Sequence, residues 1–418
     1  MIKTKKGYFL DGISLEELAK EHETPLFVVS KSQILNRVKR MKESFSYPNT
    51  LFLYANKANR LISIQKLLIK EGIGIQAGSI GEIYLGLESG CIPKKMRTTQ
   101  NGQDEEFLKF ASDKQIKPYL DSFEDLDRLN FLIEKQKIPR EFKVGIRINP
   151  GDGDGEDPHH TITSGPQSEF GIYYTQTESL LKKIKDFKIN LDSLEMHIGS
   201  NYKYPGIYLS RFNSLLDIAL NFEKNKISIN EISGGGGKGI SYNPKEKDLN
   251  IKEFGEEIDK KMFDYSKKVG KQPLLVFEDG RWYVGDGLLL TKVLSVKRNP
   301  DQRPQVIVNV GIPQIIRIPM YDAKHHFYNI TKHSGKNSHV IIKGNDCEHV
   351  DLSLDSFIGK PEAEDIIGIA NATAYAVSSM ENEYGGRPYS KVVLLNKGNI
   401  QVIREKGDLT DLIRNEIY

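Results

Sequence analysis

Cysteine is nearly absent from this chain: two among 418 residues, Cys91 and Cys347. Two cysteines cannot make a disulfide framework, and their scarcity points to a reducing compartment. Neither sign of charge dominates. Lys and Arg number 59 against 56 Asp and Glu, a formal net charge of +3, which lacks the concentrated basic footprint that a nucleic-acid binder needs. The cluster Lys3, Lys5 and Lys6 reads as a solvated terminus. No run approaches about 18 uncharged apolar residues, so no membrane span is expected. The opening Met1–Tyr8 has no long apolar core, so no signal peptide is expected either. Repeats and low-complexity tracts are missing too. What remains is ordinary: 38% hydrophobic residues and 36 glycines, ample for a large core and unlike a disordered or collagen-like chain. The expectation is a cytoplasmic globular protein.

Between Leu51 and Gly280, short apolar segments alternate with longer amphipathic ones. The strand-like segments are Leu51–Tyr54, Gly74–Gln76, Met96–Thr99, Pro118–Asp121, Lys143–Ile148, Leu194–Ile198, Ile229–Ile232 and Leu274–Phe277. Helical periodicity fills gaps such as Leu61–Ile69, Ile80–Leu87, Phe123–Glu134, Glu178–Phe187, Tyr208–Phe222 and Phe254–Val269. Eight such alternations over about 230 residues predict an α/β fold, a (β/α)8 barrel of the TIM type. A doubly wound open sheet is the alternative, because periodicity does not show closure. After Gly287 the pattern changes to strands and turns: Val293–Arg298, Gln305–Val310, His339–Lys343, Lys391–Leu395 and Ile400–Arg404. The predicted organisation is a barrel over residues 28–290, with residues 1–27 and 291–418 forming a β domain.

In a parallel barrel the functional groups come from the C-terminal strand ends. The first segment runs into Tyr54-Ala55-Asn56-Lys57, the sixth into His197-Ile198-Gly199-Ser200, the seventh into Gly234-Gly235-Gly236-Gly237-Lys238-Gly239, and the eighth into Glu278-Asp279-Gly280-Arg281. A lysine, a histidine, a glycine run and a carboxylate–arginine pair therefore share one rim. Lys57 is either a solvated loop lysine or, if desolvated, an amine nucleophile. The glycine run fails as a Walker A loop, since Gly239 follows Lys238 and Ile232 holds the place of the first Gly. It matches G-x-G-x-x-G, but Ile240–Pro244 does not open a helix, which weakens a dinucleotide reading. A backbone cradle for a phosphate suits it better. Metal sites are not expected. The pairs His159/His160 and His325/His326 are adjacent and point apart, and the calcium-like start Asp152, Asp154, Glu156 breaks at Asp157. Cys91 reads as packing. Cys347 lies in a polar turn, unusual for a structural thiol, and is a candidate reactive group.

The order and spacing of these motifs resemble the fold-type III pyridoxal-phosphate decarboxylases, the diaminopimelate and ornithine decarboxylase group with an alanine-racemase-like fold. The likeness runs from Tyr54–Asn59 through Ser79–Glu82, Leu120–Ser122, Arg147–Gly151, His160 to Ile172, His197–Ser200, Gly235–Gly237, Glu278–Arg281, Arg317 to Tyr321, Cys347-Glu348 and Ala374-Tyr375. It implies that Lys57 carries pyridoxal phosphate covalently, that Glu278 pairs with its ring nitrogen, and that His197 lies on the ring face. Gly235, Gly236 and Gly237 would serve the phosphate, with Ser200, Arg281 and Tyr375 nearby. Cys347 would return a proton to the substrate carbon. The cysteine loop in this family usually comes from the partner subunit, so a homodimer with shared active sites is implied.

Within that family, Arg281, Arg317 and Tyr321 match positions that hold a distal carboxylate, and Glu348 one that holds a distal ammonium; Tyr375 also borders the substrate. Together they imply a small amino acid with a zwitterionic far end, meso-diaminopimelate, decarboxylated to L-lysine. The chain departs from the family at several points. Gln76 replaces an Asp, Asp279 a Pro, Asn309 an Asp, His349 a small residue and Glu169 a common Lys, and Gln100–Gln103 lacks a Lys. Losing a carboxylate beside Lys57 changes the local protonation balance. A modified or conjugated amino acid is therefore an alternative substrate. A racemase and a non-catalytic cofactor-binding protein are further alternatives.

Overall fold

The computed structural model of the chain describes residues 1–157, 159–300, 302–377 and 384–417. They form two compact units. One comprises Val38–Ile240 and Lys247–Trp282; the other comprises Met1–Arg37, Ser241–Glu246 and the chain from Tyr283 onward.

The first unit is a closed parallel barrel. Its eight strands are Thr50–Ala55, Gly74–Ala77, Met96–Thr98, Lys117–Leu120, Val144–Asn149, Leu191–Glu195, Glu231–Ser233 and Leu274–Asp279. Each pairs in parallel with its neighbours, and the eighth returns to the first, Glu278 opposite Leu53. That closing pair excludes the open sheet. All eight segments read from the sequence are strands. The sixth starts three residues before the reading, because Met196 and Ile198, which look like its continuation, lie in the loop beyond it. Ile172–Tyr173 adds a short parallel piece to the fifth strand. The helices begin at ordinary caps: Ser79 Oγ accepts from the Glu82 amide, Ser122 Oγ from that of Asp125, and Asp104 Oδ1 from that of Phe107. Each cap satisfies a backbone donor that the first helical turn leaves unmet. Among the described residues no helix is long and apolar enough to cross a membrane.

Strands buried on both faces are expected to be apolar throughout, yet this barrel encloses charge. Arg97 on the third strand reaches across to Glu231 on the seventh with two hydrogen bonds of 2.8 and 2.5 Å. The Tyr119 hydroxyl on the fourth donates to the same carboxylate at 2.6 Å. Lys117 adds a contact of 3.2 Å to Glu231 and one of 2.6 Å to Asp192. Lys117 and Glu231 begin their strands and Arg97 and Asp192 are second in theirs, so the set lies toward the end of the barrel opposite the functional rim. Farther along lies Arg147, 3.7 Å from Glu195 and 3.9 Å from Asp121.

The second unit is a mixed β structure around one long strand, Leu288–Lys297. It pairs antiparallel with Leu26–Ser30, Gln305–Val308 and Ile366–Ala370. Lys391–Asn396 lies parallel to Leu26–Ser30 and carries the final strand Asn399–Arg404. Asn337–Lys343 and Asp351–Gly359 form a hairpin on the other side, joined in parallel to Gln305–Val308. Tyr8, Leu10, Leu15 and Leu18 from the chain's start share a core with Leu288, Leu290, Ile366, Val393 and Leu395. The strand readings after Gly287 hold, while Phe327–Asn329, Asp351–Gly359 and Ile366–Ala370 were not read. Asn309, which replaces a family Asp, accepts from the Thr291 hydroxyl and the Lys292 amide and donates to Thr24. A carboxylate could not make that last bond.

Glu231 gives the barrel a pH signature. Burial alone would push its carboxyl up, but the Arg97 hydrogen bonds and charge, helped by Lys117 and Tyr119, hold it at about 2 against an ordinary 4.5. The folded state thus prefers the ionised form. This stability is present above 4.5 and is lost as pH falls toward about 2. Glu231→Gln leaves Arg97 buried without its counter-charge and should cost about 3 kcal/mol or more. Urea unfolding at neutral pH checks the value, and its loss of acid sensitivity checks the cause.

Candidate active site

The functional rim of the barrel collects the groups that end strands one, six, seven and eight. Lys57 stands on the single 3-10 turn Asn56–Ala58 directly after the first strand, its side chain exposed. Asn56, beneath it, donates to the Glu82 carbonyl at 2.9 Å and to Gln65 Oε1 at 3.3 Å, which fixes the turn. Gln76 is buried at the second strand, opposite Ala55.

Glu278 is 8% exposed and accepts from the Ser233 hydroxyl at 2.9 Å. Burial raises its pKa, and the nearby Glu195 carboxylate raises it further. Glu195 is raised in turn by burial, with Arg147 opposing and Asp121 reinforcing the shift. Among the described residues, Glu195 Oε2 has no hydrogen-bond partner. Two carboxyl groups enclosed so close together do not both ionise readily.

His197 is half-buried, and its Nδ1 lies 3.1 Å from the Gly236 amide, from which it must accept. The ring is therefore neutral, with its proton on Nε2. Burial, and then the charges of Arg147, Lys57 and Lys238, press its pKa well below 6.5. The glycine loop that follows strand seven is packed as bare backbone. A Cβ on Gly236 would fall 2.1 Å from the Glu278 carbonyl oxygen, and one on Gly237 would fall 2.0 Å from that of Gly199. Gly235 and Gly237 also adopt φ of +63° and +96°, where glycine is favoured. The Gly235 amide donates to Ser233 Oγ at 3.2 Å and that of Gly236 to His197. Two of the three amides expected to face a phosphate, those of Gly235 and Gly236, are thus engaged within the barrel, whereas Gly237 is half-buried. After the glycine run the next helix begins only at Ile251, so the dinucleotide reading fails.

Arg281 is 5% exposed, 3.1 Å from Ser200 Oγ and 3.3 Å from Glu156 Oε2. Glu156 belongs to the long loop after strand five. That loop lies on the strand-six end through Asp154 N to Ile198 O, Glu156 N to Ser200 O and Ser200 N to Thr161 O, at 3.2, 2.8 and 2.9 Å. Among the described residues, no group of three or more His, Cys, Asp and Glu is gathered as a metal site.

The remaining candidates lie in the second unit. Cys347, Glu348 and His349 are exposed on the hairpin loop between Asn337–Lys343 and Asp351–Gly359. The loop is anchored at its base. Asp346 is paired with Arg387 at 2.9 Å and accepts from the Ile312 amide at 2.6 Å. The Tyr384 hydroxyl faces the Glu348 carboxylate, which pushes the phenol up to about 12. His349 lies 3.2 Å from both Lys343 and Asp351. Arg317 is fully buried, 3.0 Å from His325 Nε2 and 4.7 Å from the Tyr242 ring centroid. Tyr321 is half-buried. Tyr375 is also half-buried and holds φ +57°, a left-handed conformation uncommon for an aromatic residue. Such strain persists where the surroundings require it and often marks a functional position.

The residues that sequence reasoning left without a role are Glu195, Asp121 and Arg147. Each is a charge at or next to a short apolar strand, which in the sequence looks like an interruption and only the pairing of the strands makes a partner. Cys91 is buried, with its thiol pushed up to about 11 by burial, and is packing.

A primary amine, an enclosed carboxyl, a neutral imidazole and a side-chain-free loop are the parts that pyridoxal phosphate requires at a barrel mouth, and the residues fit it. The family model for the pyridoxal-binding domain of pyridoxal-dependent decarboxylases matches residues 31–285. The chain belongs to this family, the fold-type III pyridoxal-phosphate decarboxylases, and is a pyridoxal-phosphate-dependent carboxy-lyase. It is 32% identical to a diaminopimelate decarboxylase of Methanothermobacter thermautotrophicus over 98% of this chain and 96% of that protein. It is 30% identical to one of Methanocaldococcus jannaschii over 100% and 96%. The solved M. jannaschii diaminopimelate decarboxylase in complex with L-lysine superposes with a TM-score of 0.91 at 28% identity, covering 100% of this chain and 97% of that one. The Helicobacter pylori enzyme complexed with L-lysine gives 0.86 at 27%, over 96% and 98%.

The His197 assignment has a direct test. A histidine depressed in the folded state stays neutral while the unfolded chain protonates, so lowering pH through 6.5 should cost stability at this residue. In NMR titration of the free enzyme, the His197 ring should show no protonation across that range. Titration near 6.5 would show that the Gly236 contact does not fix its state.

Proposed function

We propose that the chain decarboxylates meso-diaminopimelate to L-lysine and carbon dioxide in the reducing interior of the cell. The observation that carries this reading is Glu348 beside Cys347 on an exposed, anchored loop. A carboxylate next to the proton donor suits a substrate with a second ammonium at its far end. The full-length likeness to diaminopimelate decarboxylases supports it. Arg281 and Tyr321, with Arg317, are assigned to the distal carboxylate, because a guanidinium grips a carboxylate in two directions at once.

Pyridoxal phosphate, when bound, supplies the electron sink for the pair left by departing carbon dioxide. Lys57 would hold it covalently through its amine. Glu278, whose enclosed carboxyl favours the proton in the free chain, would be the counter-charge for its ring nitrogen. Neutral His197 would lie against it without adding charge. Gly237, Ser200, Arg281 and Tyr375 are assigned to the phosphate, with Gly235 and Gly236 shaping the loop around it. At the substrate, the bond from Cα to the carboxylate breaks, and the Cys347 thiol gives its proton to that carbon. An exposed thiol and an exposed carboxylate on a loop anchored through Asp346 suit a homodimer in which the partner's Cys347 completes each barrel mouth.

A substrate without the distal carboxylate is the second reading. The complete burial of Arg317 against Tyr242 and His325 favours it.

Carbon dioxide release from meso-diaminopimelate with lysine formed would support the first reading; turnover of another amino acid without it would favour the second. Cys347→Ala should lower kcat about 100-fold or more, as loss of a positioned acid does. Mixing Lys57→Ala with Cys347→Ala chains should restore about a quarter of parental activity if sites are shared across a two-fold dimer. No recovery on mixing would place both groups in one chain's site.

A further inference from the structure

Asp279 stands where the family has proline, and the structure gives it a partner. Its Oδ2 lies 2.7 Å from Lys238 Nζ, and its Oδ1 accepts from the Lys238 backbone amide at 3.2 Å. The side chains are 0% and 1% exposed. Lys238 Nζ also sits 3.8 Å from the centroid of the Phe277 ring and 5.3 Å from that of Phe254. The lysine is therefore held in an aromatic and ionic enclosure and cannot itself reach a phosphate at the rim.

A fully buried ion pair is a poor way to gain stability, because desolvation offsets the attraction and an apolar pair packs as well. Its position gives another reason for it. Lys238 directly follows Gly237, in a run whose glycines have no side chains with which to fix their own conformation. Asp279 directly follows Glu278, and neighbouring residues on a strand face opposite sides. Glu278 meets Ser233, whereas Asp279 turns away to the loop. One dipeptide thus serves both the enclosed carboxyl and the glycine loop. The far side of the loop is held by Tyr202, whose amide donates to Gly237 O at 3.2 Å and whose carbonyl accepts from Gly239 N at 2.9 Å.

We propose that Lys238 and Asp279 are a positioning pair, which fixes the peptide after Gly237 so that the Gly237 amide is presented to the cofactor's phosphate group. The pair then governs how tightly the phosphate is held, and the ring much less. This rests on the phosphate lying at Gly237. The premise is checked on the parental chain first: it must prefer pyridoxal phosphate over pyridoxal, and the absence of that preference would overturn the premise and this proposal together.

The test is a binding titration of the cofactor-stripped full chain with pyridoxal phosphate and with pyridoxal, followed by absorbance. Asp279→Asn keeps an oxygen for the Lys238 amide but removes the charge. It should weaken pyridoxal phosphate about tenfold or more and pyridoxal less than about twofold. Lys238→Met should give the same split, and it decides the matter if Asp279→Asn does not fold, because Asp279 can then take up a proton. Equal losses for the two ligands would reduce the pair to a structural role, and unchanged affinity for pyridoxal phosphate would remove it from the site. Either result overturns the proposal.

Discussion

Charge enclosed inside a closed sheet survives only in complementary sets, and the barrel is built around that condition. Arg97, Lys117, Tyr119 and Glu231 neutralise one another at one end. Arg147 stands between Asp121 and Glu195 farther along. Above them Glu278 is the carboxyl left with the least compensation, beside a second carboxyl and with one hydroxyl donor from Ser233. The lumen is graded from fully paired to under-paired along its axis. An under-paired carboxyl at the open end is an invitation to a cation, and a protonated ring nitrogen meets that description.

Much of this was legible in the sequence, and for identifiable reasons. The eight strands were readable because each is a short apolar run followed by a helix of clear periodicity. The rim groups were readable because strand ends in such a barrel are functional by position. Closure was not readable, since it depends on Leu53 meeting Glu278 across more than half the chain. The interior was not readable either. Apolarity marks both the outward face of a strand and the core, so Arg147 and Glu195 look like interruptions until the register shows them as partners. The Lys238–Asp279 contact escaped notice because each residue was read within its own motif.

The loop after strand five and the strand Asp351–Gly359 show two other limits. In the sequence that loop offers only a broken calcium-like start and an adjacent histidine pair, yet its backbone is stitched to Ile198 and Ser200. Hydrogen bonds between main chains leave no trace in residue type. The hairpin strand Asp351–Gly359 exposes Leu354 and Phe357 while burying Leu352 and Ile358, so its alternation is blurred.

The two cysteines differ in a way that governs handling. Cys91 is enclosed and its thiol is held in the protonated form, so it resists oxidants. Cys347 is exposed, and thiols that reach solvent climb the oxidation ladder from sulfenic acid upward. A buried, protonated thiol offers it no ready partner within the chain. A chain whose Cys347 is not enclosed in a partner's barrel mouth therefore oxidises to a chain-to-chain disulfide or an over-oxidised residue, so the undimerised fraction is the one that reductant protects.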